Sequence, residues 1–315
     1  MPNTQRTVLA LSPLLPPEMA KLETRFKTVR LYNESDPEKA LQAVKNDVVG
    51  IISNPATPVR RGLIEALPNL EIVTQFGVGV DNIDFEATRE RGIAVTNTPD
   101  VLTDDTADIA VSLLLSLSRR ICEADMFVRV GKWGTTPMPL GVTPKGKTVG
   151  IVGLGRIGKA IAKRLVAFDM RVVYHGRKQK AELAWPFYSD LEKMAADCDY
   201  LVLACSGGPD TYHIVNARVL EALGPKGYLV NVARGSVVDE EALVDALVNK
   251  RIAGAGLDVY AHEPNVPDPL KTMDNVVLLP HIGSATVETR TIMGEIVLAN
   301  LESHFSGKPL ITKVA

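Results

Sequence analysis

The sequence predicts an α/β protein of two units, each built on a parallel sheet, and three observations carry that prediction. Short apolar runs of strand length alternate with helical stretches over most of the chain. A glycine-rich turn at 153–158 joins a strand directly to a helix. The length, 315 residues, suits two domains rather than one.

The elements of the first unit follow in order. Val8–Leu11 reads as a first buried strand, since Pro13, Pro16 and Pro17 and the lack of a small-residue cleavage site set it apart from a signal peptide. Val48–Ser53, Glu71–Gln75 and Ile93–Thr96 are further short apolar runs. Helical stretches that include Leu41–Lys45 and Leu63–Leu67 separate them. Thr103-Asp-Asp-Thr106 then opens a long helix to Arg120, its early acids favourable to the helix dipole. The apolar run Ile109–Leu117 inside it is far below the roughly 20 residues of a membrane span, so it reads as a buried helix. A proline- and glycine-rich loop, Gly131–Pro144, follows.

The second unit begins with Val149–Val152, an apolar run of the kind found in buried parallel strands. Ile157, Ile161, Leu165 and Phe168 then recur at helical spacing over Arg156–Phe168, and Arg171–His175 completes a βαβ unit. Gly153, Gly155 and Gly158 form G-x-G-x-x-G at its turn. In a dinucleotide-binding turn the first glycine permits the tight bend, the second lets backbone approach a pyrophosphate, and the third lets helix and strand pack closely. The anion would sit on the helix N-terminus. Tyr200–Cys205, Gly227–Val232, Ala253–Val259 and Val276–Leu279 continue as strands, with a helix over Asp239–Asn249, which fits a Rossmann-like doubly wound sheet. The last helix, Ala285–Phe305, lies past that sheet and returns the chain to the first unit.

The end of the second βαβ strand selects the cofactor. A carboxylate there bonds the ribose 2′-OH of NAD, whereas basic residues accommodate the 2′-phosphate of NADP. Here the residues are His175-Gly176-Arg177-Lys178, without an acid, which predicts NADP(H) in preference to NAD(H). A net charge of −2 gives no electrostatic reason to expect nucleic acid or an anionic membrane as partner. Cys122, Cys198 and Cys205 fit neither a disulfide framework nor a metal site, so a reducing cytoplasm and no metal are expected.

Three further motifs stand in the chain: Asn231-Val-Ala-Arg-Gly-Ser-Val-Val-Asp-Glu240, Gly256-Leu-Asp-Val-Tyr-Ala-His-Glu-Pro264 and Leu279-Pro-His-Ile-Gly-Ser-Ala-Thr286. With the glycine turn they resemble the D-isomer-specific 2-hydroxyacid dehydrogenases over nearly the whole chain. Val95–Asp105, Arg119–Glu123 and Ser306–Pro309 make the chain most similar to the NADPH-preferring glyoxylate/hydroxypyruvate reductases, a branch that includes plant hydroxyphenylpyruvate reductases. The resemblance implies a discontinuous, flavodoxin-like substrate domain over 1–98 and 284–315 and an NADP-binding domain over 99–283. It also implies a homodimer in which Trp133 reaches toward the partner's active site and its substrate.

The resemblance further implies Arg234, Glu263 and His281 as the catalytic set. A guanidinium suits the carboxylate and carbonyl of a 2-oxo acid, an imidazolium can protonate the alkoxide formed on hydride transfer, and a carboxylate holds that imidazole. His262 does not match the family histidine and reads as a loop residue. The stretch Phe76–Asp84 matches the substrate loop, which assigns Val78 and Gly79 as backbone donors to the substrate carboxylate. By position, Leu154, Arg156 and Ile157 join the glycines at the diphosphate, and Thr106, Val232, Ala233, Asp258 and Gly283 stand with His281 among the cofactor contacts. Cys205 and Pro209 fall on the adenine side, where Ala204-Cys-Ser-Gly-Gly-Pro209 departs from the common family pattern. Glyoxylate or hydroxypyruvate reduction is the implied activity. Hydroxyphenylpyruvate or phenylpyruvate reduction stands as the alternative, because nothing in the sequence fixes the pocket size, and a nucleotide-sensing corepressor is the reading outside catalysis.

Overall fold

The structure, a computed structural model, describes residues 6–314. Two compact units divide the chain, Met1–Leu102 with Ala285–Ala315 and Thr103–Ser284. The first crossing lies a few residues beyond the position read from sequence. Pro99–Leu102 stays with the first unit, where the carbonyl of Val101 accepts a hydrogen bond from Thr289 Oγ1.

In the first unit β1 (Thr7–Ala10), β2 (Lys27–Arg30), β3 (Val48–Ser53), β4 (Ile72–Gln75) and β5 (Ala94–Thr96) form a parallel sheet in the order β2-β1-β3-β4-β5. That is the flavodoxin-like order. Helices α1 (Pro16–Arg25), α2 (Pro37–Val44), α3 (Arg61–Ala66) and α4 (Phe85–Glu90) connect the strands. Pro16 and Pro17 open α1, where the missing N–H groups would have had no helical partner. The edge strand β2 is half-exposed and reads Lys-Thr-Val-Arg, so apolar patterning does not reveal it.

The second unit begins with α5 (Thr103–Arg119) and α6 (Ile121–Arg129). Arg120 breaks the long helix by adopting φ 53°, and no residue of α6 is buried. After them come β6 (Thr148–Val152), α7 (Arg156–Val166), β7 (Arg171–His175), β8 (Phe187–Tyr188) and α8 (Leu191–Ala196). The unit closes with β9 (Tyr200–Leu203), α9 (Ala217–Leu223), β10 (Tyr228–Asn231), α10 (Glu240–Val248), β11 (Gly254–Leu257), α11 (Asp268–Lys271) and β12 (Val276–Leu278). Helix α7 stops at Val166, so Phe168 lies beyond it and is exposed rather than part of the apolar stripe.

The sheet order is β12-β11-β10-β9-β6-β7-β8, all parallel. Side chains alternate across it. Val152, Leu201, Leu203 and Leu229 enter one apolar layer, and Val149, Ile151, Tyr200, Val202 and Val230 enter the other. The order reverses between β6 and β9, the kind of switch point at which ligands bind outside the carboxyl ends of strands. Finally α12 (Val287–Phe305) rejoins the first unit, where Val297, Leu298 and Leu301 pack with Val8, Ile52 and Ile72. Among the described residues no helix is long and apolar enough to cross a membrane.

Candidate active site

Each glycine of the 153–158 turn has a distinct physical reason. Gly153 has φ 90°, and a Cβ there would fall 2.5 Å from Cα of Cys205. A Cβ on Gly158 would fall 2.2 Å from the carbonyl oxygen of Gly153, so helix and turn touch at that point. Gly155 faces open space and begins α7 without a side-chain cap, which leaves helix N–H groups available to an anion. Leu154 is buried, Arg156 exposed and Ile157 half-buried around this mouth. The residues present therefore fit a dinucleotide diphosphate.

At the end of β7, Gly153 N–H bonds the carbonyl of His175, and His175 Nδ1 lies 2.9 Å from the carbonyl oxygen of Tyr188. Gly176 follows half-buried, then Arg177 and Lys178, both exposed and neither in an ion pair with an acid among the described residues. On the other side of β6, just past the end of β9, Cys205 backs onto Gly153 and Pro209 opens a short 3₁₀ turn. Burial pushes the Cys205 thiol up to about 11, so it is a neutral packing group.

Arg234, Glu263 and His281 all belong to the second unit and follow the carboxyl ends of β10, β11 and β12. Asn231 holds the approach to Arg234: its side chain accepts from Ala233 N–H at 2.9 Å and donates to the carbonyl of Arg234 at 2.9 Å. Val232 and Ala233 are buried between them, and Arg234 Nη1 donates to the Ala233 carbonyl. Glu263 Oε2 lies 2.7 Å from His281 Nδ1, and Glu263 Oε1 accepts the Tyr260 N–H at 3.1 Å. Burial pushes the Glu263 carboxyl up, but the His281 hydrogen bond and charge, the Tyr260 N–H and the charge of Arg234 outweigh it and hold it below the usual carboxylate range. An ionised carboxylate only accepts, so Nδ1 of His281 carries the hydrogen and Nε2 is left for proton exchange.

His281 has φ 54°, an uncommon conformation for a residue with a side chain. Asp258 sustains it. Its two oxygens accept Ile282 N–H at 2.7 Å and Gly283 N–H at 2.8 Å, while Thr106 Oγ1 donates to the Gly283 carbonyl at 3.1 Å. Burial pushes the Asp258 carboxyl up, and those two N–H groups with the charge of His281 act against it. Asp258 and Thr106 thus already have partners within the loop that carries the histidine. His262 is exposed in a turn closed by Asn265 N–H on its own carbonyl, apart from this pair.

In the first unit, the carbonyls of Gly77, Val78 and Gly79 accept from Thr98 N–H, Asn97 Nδ2 and Gln75 Nε2 at 2.9–3.0 Å. The turn is therefore held through its carbonyls, which suits one that offers N–H groups to an anion. Trp133, in the loop after α6, is 79% exposed. Sequence reasoning passed over Asn231, Tyr260, Glu240 and the whole of α6. An asparagine or tyrosine that bonds backbone gives no signal at fixed spacing, and α6 lacks a buried stripe.

A family model described as the D-isomer specific 2-hydroxyacid dehydrogenase, NAD binding domain, matches residues 111–283. The chain is 47% identical over 307 residues to a hydroxyphenylpyruvate reductase of Plectranthus scutellarioides, covering 98% of both. It is equally 47% identical over 307 residues to the glyoxylate/hydroxypyruvate reductase A of Arabidopsis thaliana, again covering 98% of both. Among solved structures, the NADPH-dependent glyoxylate/hydroxypyruvate reductase of Sinorhizobium meliloti in complex with NADP and malonate superposes with a TM-score of 0.90. It is 43% identical to this chain, covering 99% of this chain and 97% of that one.

Proposed function

Since the chain belongs to the D-isomer specific 2-hydroxyacid dehydrogenase family and is an oxidoreductase with a nicotinamide cofactor, we propose that it uses NADPH to reduce small 2-oxo acids, glyoxylate to glycolate and hydroxypyruvate to D-glycerate. The observation that carries the chemistry is the 2.7 Å contact between His281 Nδ1 and Glu263 Oε2. Arg234 orients the carboxylate and carbonyl of the substrate through its planar guanidinium. His281 delivers a proton from Nε2 to the oxygen that becomes the hydroxyl, and Glu263 holds the ring for that transfer. Bound NADPH supplies the hydride.

Gly153, Leu154, Gly155, Arg156, Ile157 and Gly158 hold the diphosphate in this reading. Arg177 and Lys178 take the 2′-phosphate, and Thr106, Cys205, Pro209, Val232, Ala233, Asp258 and Gly283 line the remaining dinucleotide positions. The exposed base pair after Gly176 supports NADPH over NADH, as does the relative that binds NADP. Val78 and Gly79 offer N–H groups to the substrate carboxylate. The exposed Met126 and Val128 of α6 and Val130 just after it, with Trp133, support a homodimer that covers them. The cysteine usage supports a reducing cytoplasm.

Initial rates of NADPH and NADH oxidation with glyoxylate, hydroxypyruvate, pyruvate, phenylpyruvate and hydroxyphenylpyruvate test the proposal. Highest kcat/KM with NADPH and the small acids is expected. Preference for the aromatic acids would move the assignment to hydroxyphenylpyruvate reduction, a reading favoured by the equal identity to the Plectranthus scutellarioides enzyme. Absence of turnover with all five would overturn the reductase reading and leave the corepressor-type binding reading to be tried.

A further inference from the structure

We propose that Tyr260 is a positioning residue that sets His281 against Glu263 and seats both on the strand end carrying Arg234. It touches all three branches. Its N–H bonds Glu263 Oε1 at 3.1 Å, and its hydroxyl donates to the carbonyl of Leu279, two residues before His281, at 3.0 Å. The same hydroxyl lies 3.3 Å from the carbonyl of Leu257, which also accepts the Leu279 N–H at 2.8 Å as the last rung between β11 and β12. Tyr260 therefore ties down the fork at which those strands separate, one toward Glu263 and the other toward His281.

The third branch is a close approach of backbone. A Cβ on Gly235, the residue after Arg234, would fall 1.9–2.2 Å from the carbonyl of Tyr260 and the N of Ala261. Glu240, at the start of α10, closes the turn by accepting the Ala261 N–H at 3.0 Å. Only 7% exposed as a residue and packed in the apolar layer, Tyr260 is fixed on every side. Burial raises its hydroxyl to about 12, so it remains a donor throughout the working range. Catalytic rate is sensitive to displacements of this kind because proton transfer requires hydrogen-bond reach.

The inference rests on the reductase reading but is tested in part without it. Tyr260→Phe keeps the ring and removes only the hydroxyl. It is expected to lower kcat roughly tenfold with the KM for NADPH unchanged, and to displace the pH profile of kcat. Tyr200→Phe removes another buried hydroxyl of the same unit, one bonded to Ser118 Oγ at 2.8 Å, and should leave both as in wild type. Imidazole NMR titration of the full chain gives a second readout independent of turnover, in which Tyr260→Phe moves the His281 resonance and leaves His262 in place. An unmoved His281 titration, or a wild-type kcat and pH profile in Tyr260→Phe, would overturn the inference. A wild-type chain without turnover would sink the reductase reading alone, since the titration still decides the role of Tyr260.

Discussion

Glu263 Oε2 and His281 Nδ1 stand 2.7 Å apart although they lie 18 residues apart in sequence, and they meet because two parallel strand ends bring them to one edge. The contact engages Nδ1 and leaves Nε2 as the nitrogen that would exchange the proton in the proposed reduction. His281→Ala should reduce kcat by about 10²–10⁴-fold, whereas His262→Ala, in an exposed turn, should retain most activity. Comparable losses in both variants would remove His281 from its role.

The pH dependence of stability follows from the depressed Glu263 carboxyl. A carboxyl held lower in the folded chain than in the unfolded one contributes stability above its ordinary value and loses it as the pH falls through the folded one. Thermal unfolding should therefore separate wild type from Glu263→Gln near neutral pH, with the gap narrowing once the pH drops below the ordinary carboxylate range. A constant gap down to strong acid would show that the charge of Glu263 has no part in it.

Cofactor choice should respond to the base at 177. Arg177→Asp removes a donor and places a negative charge beside a 2′-phosphate of charge near −2. The expected loss in kcat/KM for NADPH is roughly 10–100-fold, the worth of one or two charge-assisted hydrogen bonds. NADH kinetics should change little. Equal losses with the two cofactors would place the phosphate elsewhere.

The second and third glycines of the turn should part company. Gly158→Ala forces a Cβ to 2.2 Å from the Gly153 carbonyl, so it should cost about 2 kcal/mol or more in stability, as overpacking does. Gly155→Ala meets nothing within the chain and should leave the melting temperature unchanged while weakening NADPH binding, read by cofactor fluorescence. Undiminished affinity in Gly155→Ala would argue against a diphosphate at the start of α7.

The uncovered apolar residues on and just after α6 predict association. Light scattering should return twice the 34.1 kDa chain mass, and Met126→Glu with Val130→Glu should shift it toward the monomer. A wild-type mass of one chain, with full activity, would mean that this face has no second copy on it.

By itself the sequence determined the alternating architecture, the glycine turn and the basic residues after β7. All of these are local, since apolar periodicity marks a buried strand and only glycine fits where the Gly153 backbone turns at φ 90° beside Cys205. The edge strand β2 was illegible because Lys-Thr-Val-Arg carries no apolar run, and α6 because no glycine or proline marks it off from the helix before it. Tertiary structure alone decided how Glu263 and His281 are held. Asp258 grips the Ile282 and Gly283 N–H groups, and Tyr260 spans to Leu279. Such bonds join a side chain to backbone brought near by strand pairing, and a partner identified only by proximity leaves no spacing in the sequence to read.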